Sequence, residues 1–138
     1  MEGFGAIVRV AKLDEYHKDL LTLSTDKAIE HTKTLKNAVY IYGSVYGYFV
    51  IPQSIIGVEA KQQLLNLDKY PDIVVGSCGG GANLLGTASE FMADNIEGRS
   101  TCKIYAAESA SCPILSKGKM GYSSIDNLNY YPLIHTYS

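Results

Sequence analysis

The chain has 138 residues, of which 46% are hydrophobic and 19% are charged. This balance is typical of a globular domain with a core and excludes a disordered chain. The formal net charge is −2, with acidic and basic residues interleaved. We therefore expect no nucleic-acid partner, and the short apolar runs predict neither a membrane span nor a signal peptide.

Cysteine and histidine usage indicates the compartment and argues against a metal site. The cysteines Cys78, Cys102 and Cys112 are odd in number and have no CxxC spacing. Such a pattern is typical of reduced thiols, and not of a disulfide scaffold or a zinc site. The three histidines also lack the spacing of metal ligands. We therefore expect a cytoplasmic protein with no metal.

The first half of the chain is predicted to contain two strands and two helices. Residues 5–10 (GAIVRV) and 38–42 (AVYIY) are rich in β-branched or aromatic residues, which favours short strands. Between them, Ser24 or Thr25 is a candidate N-cap for a helix from about residue 26 to residue 35. A second helix is predicted from Pro52, which a first helical turn tolerates, to about residue 67.

The second half predicts strand, glycine loop, helix and strand in that order. Residues 73–75 form a continuous apolar run, typical of a central parallel strand. After the glycines, the following apolar residues recur on one helical face: Leu84, Leu85, Ala88, Phe91 and Met92. Residues 103–107 predict a further strand. Glycines and prolines in the last thirty residues or so break any long element.

Strands separated by helices predict an α/β fold, with a parallel sheet flanked by helices. Four strands are few for a complete sheet of this type. The first strand begins near residue 5, and the sequence ends without a terminating motif. We therefore expect residues 1–138 to form a single partial domain that is truncated at both ends.

The loop at residues 76–83, GSCGGGAN, is the motif that carries chemistry. Glycines let backbone N–H groups approach an anion closely, and the following helix presents the positive end of its dipole. Open α/β sheets bind ligands at the carboxyl ends of their strands, where this loop is predicted to lie. The sequence therefore predicts a phosphate-binding loop. A tight strand-to-helix turn without a ligand is the simpler alternative.

Two common phosphate motifs do not fit this loop. A Walker loop requires a lysine after its last glycine, but Gly86 is followed by Thr87. A dinucleotide fingerprint that begins at Gly79 requires a glycine where Leu84 stands. Nucleoside triphosphates and dinucleotides are therefore poor candidates for the ligand.

At residues 53–61, 71–76, 79–83 and 112–118, the sequence resembles the tryptophan synthase beta chains, which are fold-type-II enzymes that depend on pyridoxal 5′-phosphate (PLP). The loop at 79–83 resembles the family's GGGSN loop, and residues 53–61 (QSIIGVEAK) resemble its Q-x-x-I-G-x-E-x-K helix. Residues 71–76 (PDIVVG) resemble the strand that leads into the glycines. Residues 112–118 (CPILSKG) resemble a segment of the second, alpha-subunit-independent type of beta chain.

The resemblance implies which residues bind the cofactor. The positions that match the family's phosphate-binding loop are Gly79, Gly80, Gly81, Ala82 and Asn83. Ser44 matches a small hydroxyl residue near the phosphate, and Glu108 matches the acidic residue beside the pyridine ring. Ala82 stands where the family has a serine, so one donor to the phosphate is missing and weaker binding is expected.

For a complete enzyme, the resemblance implies a homodimeric lyase that converts L-serine and indole to L-tryptophan. In the family, the lysine that forms the Schiff base with PLP lies in an H-K-x-N setting, which none of the ten lysines here has. We therefore expect no catalytic residue in this chain and no activity from it alone. The alternatives are another fold-type-II enzyme (threonine synthase, cysteine synthase or serine dehydratase) and a non-catalytic phosphate-binding relic.

Overall fold

The computed structural model describes residues 1–16 and 19–138, apart from the side chain of Phe49. The helices are α1 (Leu20–Lys33), α2 (Gly47–Val50), α3 (Ile55–Leu65), α4 (Ala82–Ile96) and α5 (Ile114–Lys117), with 3₁₀ turns at Glu2–Phe4 and Ile51–Ser54. The strands are β1 (Ile73–Ser77), β2 (Lys103–Ala107), β3 (Met120–Ser123) and β4 (Ile134–Tyr137). Residues 42–118 form one compact unit, here the central unit, and residues 1–41 with 119–138 form the terminal unit.

The central unit is built on β1 and β2, which pair in parallel from Ile73 opposite Lys103 to Ser77 opposite Ala107. Helix α4 connects the two strands and packs against them. The buried core of this unit consists of Val74, Ala88, Phe91 and Cys102, with Leu64, Leu84 and Ile104 packed around it. Ala88 and Phe91 lie on the predicted apolar face of α4, and they are fully and almost fully buried. The predicted α/β fold with a parallel sheet flanked by helices is confirmed.

Helix α3 and the 3₁₀ turn before it approach α4 closely, because glycines stand at the contact. A Cβ atom added at Gly57 would lie 2.8 Å from the carbonyl oxygen of Thr87. One added at Gly86 would lie 2.9 Å from the carbonyl oxygen of Gln53. Only a residue without a side chain permits such contacts. The packing therefore brings Gln53 beside the first turns of α4.

A buried carboxylate joins the far end of α4 to its surroundings. Asp94 is 3% exposed. It accepts hydrogen bonds from the Tyr70 hydroxyl at 2.7 Å, the Lys61 ammonium at 2.7 Å and the Arg99 guanidinium at 2.6 and 2.9 Å. Lys61 above all, then Tyr70 and Arg99, holds the pKa of Asp94 well below its ordinary value. Because Lys61 belongs to α3, this cluster links the two helices.

The terminal unit contains α1 and the antiparallel pair β3 and β4. Two carboxylates, each 3% exposed, organise the loop between these strands. Asp26 of α1 accepts a hydrogen bond from the Asn127 N–H at 3.2 Å. Asp126 accepts from the Tyr130 and Tyr131 N–H groups at 2.9 and 3.1 Å. These bonds fix the loop beside α1.

Two predicted strands are wrong. Residues 5–10 and 38–42 contain no strand and pair with no strand in the described part of the chain. Ile7 is 89% exposed and Val39 is 84% exposed, so no neighbouring element covers these apolar side chains. A β-branched run becomes a strand only where a partner satisfies its backbone and packs on its side chains.

The first predicted helix is confirmed, but it begins earlier than expected. Asp19, and not Ser24 or Thr25, is the N-cap, since its carboxylate accepts from the Thr22 N–H at 2.8 Å. Ser24 lies inside the helix and its hydroxyl donates to the Leu21 carbonyl. Within the described residues, no helix combines the length and apolar character needed to cross a bilayer.

Asp94 should make the stability of the central unit depend on pH in acid. Its pKa is lower in the folded chain than the unfolded value of about 3.9. Its contribution to stability is therefore present above that value and is lost as pH falls through the folded pKa. We predict that Asp94→Asn lowers the urea midpoint at pH 7, and that its difference from the wild type shrinks progressively below about pH 4.

The matched control is Asp68→Asn, since Asp68 is an exposed residue in the turn after α3. It should change the midpoint little at any pH in this range. The role given to this carboxylate is contradicted if the urea midpoints of Asp94→Asn and the wild type differ by the same amount from pH 7 to about pH 2.5.

Candidate functional site

The glycine loop joins the carboxyl end of β1 to the first turn of α4. The Cys78 N–H donates to the Ala107 carbonyl at 2.8 Å, which extends the parallel ladder by one residue beyond Ser77. Gly81 then takes a φ of +90° as the N-cap of α4. Glycine adopts this left-handed conformation at little cost. The backbone therefore turns from strand into helix within residues 79–81.

The N–H groups of this loop are not committed to other parts of the chain. Those of residues 79–83 donate no hydrogen bond to any residue that the structure describes. The first bond of α4 runs from the Leu85 N–H to the Gly81 carbonyl, and no side chain caps the helix. Free donors therefore coincide with the positive end of a 15-residue helix. This donor set fits a phosphate, which has negative charge and several acceptor oxygens.

Ser44 lies against the loop, although it is distant in the sequence. A Cβ atom added at Gly80 would lie 2.9 Å from the Ser44 Cβ and 2.9 Å from the Val45 Cγ2, and it would also contact the Ser44 hydroxyl. In addition, the Val45 N–H donates to the Gly80 carbonyl at 3.2 Å. The structure thus brings Ser44 and the glycine loop together.

The segment that carries Ser44 is held in a strained turn. Val45 has a φ of +74°, and the Tyr46 N–H donates to the Ser44 carbonyl at 2.9 Å. These two features define the rarer form of the γ-turn, which costs a β-branched residue on the order of 1–3 kcal/mol. The side-chain amide of Gln53 donates to the Gly43 carbonyl at 2.9 Å and so holds the residue before the turn.

The sequence did not predict that Val45 and Gln53 belong to the site. A valine gives no signal that its φ is positive, because its preferences favour an extended strand. Gln53 does stand in the QSIIGVEAK motif, so the motif was a usable signal. Its contact with Gly43, however, depends on the tertiary structure.

Glu108 lies just beyond β2, at the same edge of the sheet as the loop. Its carboxylate accepts hydrogen bonds from the Leu115 N–H at 2.7 Å, the Ser116 N–H at 3.1 Å and the Ser116 hydroxyl. The Ser116 hydroxyl, followed by the Leu115 N–H, lowers the pKa of Glu108. The carboxylate therefore caps the first turn of α5. Its expected position beside the pyridine ring stays a prediction.

The last two positions of the loop differ in exposure. Ala82 is 7% exposed, whereas the side chain of Asn83 is exposed. Asn83 is therefore accessible to a ligand at the sheet edge. Ala82 offers a ligand only its N–H group.

Two cavities lie among the residues that the structure describes. One of about 840 Å³ is lined by residues of the 7–12 segment and α1, and one of about 440 Å³ lies near Asp26 and Asn127. Both belong to the terminal unit. Within the described ranges, no group of three or more His, Cys, Asp or Glu residues is suited to hold a metal ion. The glycine loop, whose free N–H donors stand at the first turn of α4, is the candidate site.

No family model matches the chain, but individual relatives do. It is 39% identical over 118 residues to tryptophan synthase beta chain 2 of Methanosarcina acetivorans, which covers 86% of this chain and 27% of the relative. The protein of the same name from Methanothermobacter thermautotrophicus is 35% identical over 130 residues, and this match covers 94% of this chain and 30% of the relative. The chain belongs to the tryptophan synthase beta family.

A third relative, tryptophan synthase beta chain 2 of Aquifex aeolicus, is 34% identical over 125 residues, which covers 88% of this chain and 29% of the relative. This chain thus spans less than a third of the length of these tryptophan synthase beta chains. All three relatives are named beta chain 2, in agreement with the type that the CPILSKG segment predicted. The family assignment made from the motifs is confirmed.

The contact between Gly80 and Ser44 predicts a difference between neighbouring glycines. A Cβ atom at Gly80 would be crowded by Ser44 and Val45, whereas one at Gly79 would have no atom within 4 Å. We predict that Gly80→Ala lowers the free energy of unfolding by about 1–3 kcal/mol. Gly79→Ala should change it by less than about 0.5 kcal/mol. Urea denaturation measures both.

Removing the Ser44 side chain should relieve this crowding. In the Gly80→Ala background, Ser44→Gly is expected to restore part of the lost stability, since it deletes two of the three atoms nearest to the new Cβ. If alanine at 79 and alanine at 80 had equal effects, the loop would not pack on Ser44 in solution.

Proposed function

We propose that this chain binds the phosphate group of PLP through its glycine loop and so contributes the phosphate-binding part of a tryptophan synthase beta active site. The proposal is carried by one observation: the uncommitted N–H groups of residues 79–83, at the start of α4, coincide with the family's phosphate loop. Charge-assisted hydrogen bonds from backbone donors and the helix dipole would act on the same anion. The Ser44 hydroxyl, beside Gly80, would add a further donor.

The chain's own part in the chemistry is orientation. When bound, PLP supplies the electron sink for replacing the hydroxyl of L-serine with indole to give L-tryptophan. Several donors on one rigid helix end restrict the rotation of a phosphate, and they thereby fix the direction of whatever is attached to it. Backbone donors also lose no side-chain rotamer freedom on binding. Glycines and the N-cap of α4 are suited to this role.

The complete activity is a further proposal that extends beyond this chain. We infer that a full-length member acts on L-serine and indole as a homodimer. No residue of this chain is assigned to proton transfer, because none of its ten lysines stands in an H-K-x-N setting. This sequence feature favours a second candidate function, a phosphate-binding module without catalysis. The names of the relatives favour tryptophan synthase over other fold-type-II enzymes.

Calorimetric titration tests the binding proposal. The probe is pyridoxine 5′-phosphate, an alcohol that cannot condense with lysines, and the comparison is pyridoxine, which lacks the phosphate. We predict that the purified chain binds the phosphorylated compound at least about tenfold more tightly, since charge-assisted hydrogen bonds contribute about 1.5–3 kcal/mol each.

Ala82→Ser, which restores the family's serine, should tighten the binding of pyridoxine 5′-phosphate by about tenfold or more.

The control for the serine variant is Ala93→Ser, near the opposite end of α4. It should leave the dissociation constant unchanged. Equal affinities for pyridoxine 5′-phosphate and pyridoxine would refute phosphate recognition by this chain. Formation of L-tryptophan from L-serine and indole by the purified chain with PLP would overturn the expectation that it is inactive alone.

A further inference from the structure

We infer that the strained turn at Val45 positions the Gly80–Gly81 peptide group for phosphate binding. The inference rests on the proposed function and deepens it, because it assigns a positioning residue outside the loop itself. It is based on a backbone hydrogen bond, a close contact and a backbone conformation that valine rarely adopts.

The direction of one loop donor is set from outside the loop. The Val45 N–H donates to the Gly80 carbonyl at 3.2 Å. Because a trans peptide group is planar, its N–H is directed opposite to its carbonyl. The Gly81 N–H therefore faces away from Val45. This single hydrogen bond fixes the side of the loop on which that donor is available.

A glycine loop needs such support more than other loops do. Residues 79–81 have no side chains that pack and no side-chain cap at α4, so their backbone freedom is large. A loop that has to be ordered when its ligand binds loses affinity. The Ser44 and Val45 side chains lie in contact with Gly80 and already restrict it in the free protein. We conclude that the turn reduces the ordering that phosphate binding requires.

The strain at Val45 supports a role in binding over a role in folding alone. A non-glycine residue keeps a φ of +74° only where its surroundings determine it, and such residues concentrate at ligand sites. Here the Tyr46 N–H closes the turn, and Gln53 holds Gly43 ahead of it. Gln53 in turn packs on Gly86 of α4. The turn is therefore anchored to the same helix whose first turn carries the donors.

The test uses two substitutions, one that is incompatible with the turn and one that is compatible with it. Val45→Pro removes the N–H and fixes φ near −65°, which is incompatible with the turn. Val45→Gly keeps the N–H and adopts a positive φ without strain. Calorimetric titration of the full chain gives the dissociation constants for pyridoxine 5′-phosphate and for pyridoxine. We expect Val45→Pro to weaken binding of the phosphorylated compound at least about tenfold. Val45→Gly keeps the N–H but loses the side chain that contacts Gly80, so it should weaken binding clearly less than Val45→Pro does.

A second variant separates binding from folding. Replacing the Val45 N–H by an ester oxygen deletes the donor and keeps the side chain, although it also weakens the Ser44 carbonyl as the acceptor of the Tyr46 N–H. Thermal unfolding followed by circular dichroism checks that the variant is folded. It should lose phosphate affinity as Val45→Pro does. If the wild type does not distinguish pyridoxine 5′-phosphate from pyridoxine, the proposed function fails. If the wild type does distinguish them and the folded ester variant binds as tightly as the wild type, or Val45→Gly loses as much affinity as the ester, the inference is overturned.

Discussion

The parallel pairing of β1 with β2 is the interaction on which the arrangement of this site depends. The ladder continues to the Cys78 N–H and the Ala107 carbonyl, so the glycine loop and Glu108 emerge at one edge of the sheet. Helix α4 must then return over the sheet to connect the strands, and it buries Ala88 and Phe91 in doing so. Its N-terminus is therefore held at the edge where ligands of such sheets bind.

Packing and recognition are carried by different parts of this unit. Apolar burial and the Asp94 cluster hold α4 in place from its middle and its C-terminal end. The N-terminal end packs on Gln53 of the 3₁₀ turn but leaves its backbone donors free. The strained backbone of Val45, which lies beside this end, lowers the stability of the fold further. A site whose donors stay free requires stability from elsewhere in the fold, and here the core and the ion cluster supply it.

The sequence predicted most of the central unit, because its signals are local. The apolar run at 73–75, the glycines and the helical face after them each fit a regular element, and the motifs identified the family. The terminal unit was predicted less well. Residues 5–10 and 38–42 have strand composition but no strand partner among the described residues. Asp19 caps α1 from a position that composition did not single out. The turn at Val45 could not be predicted, since its φ arises from contacts between distant segments.

The central claim is that the N–H groups of residues 79–83 are free to bind a phosphate. Two-dimensional ¹H–¹⁵N NMR of the labelled chain, titrated with inorganic phosphate and then with pyridoxine 5′-phosphate, tests it directly. We expect the signals of these five residues to shift in a saturable manner, while those of Gly98 and Gly121, which lie outside the loop, stay in place. The account is contradicted if the loop signals do not respond, or if slow hydrogen exchange in the free protein shows that these amides are already bonded.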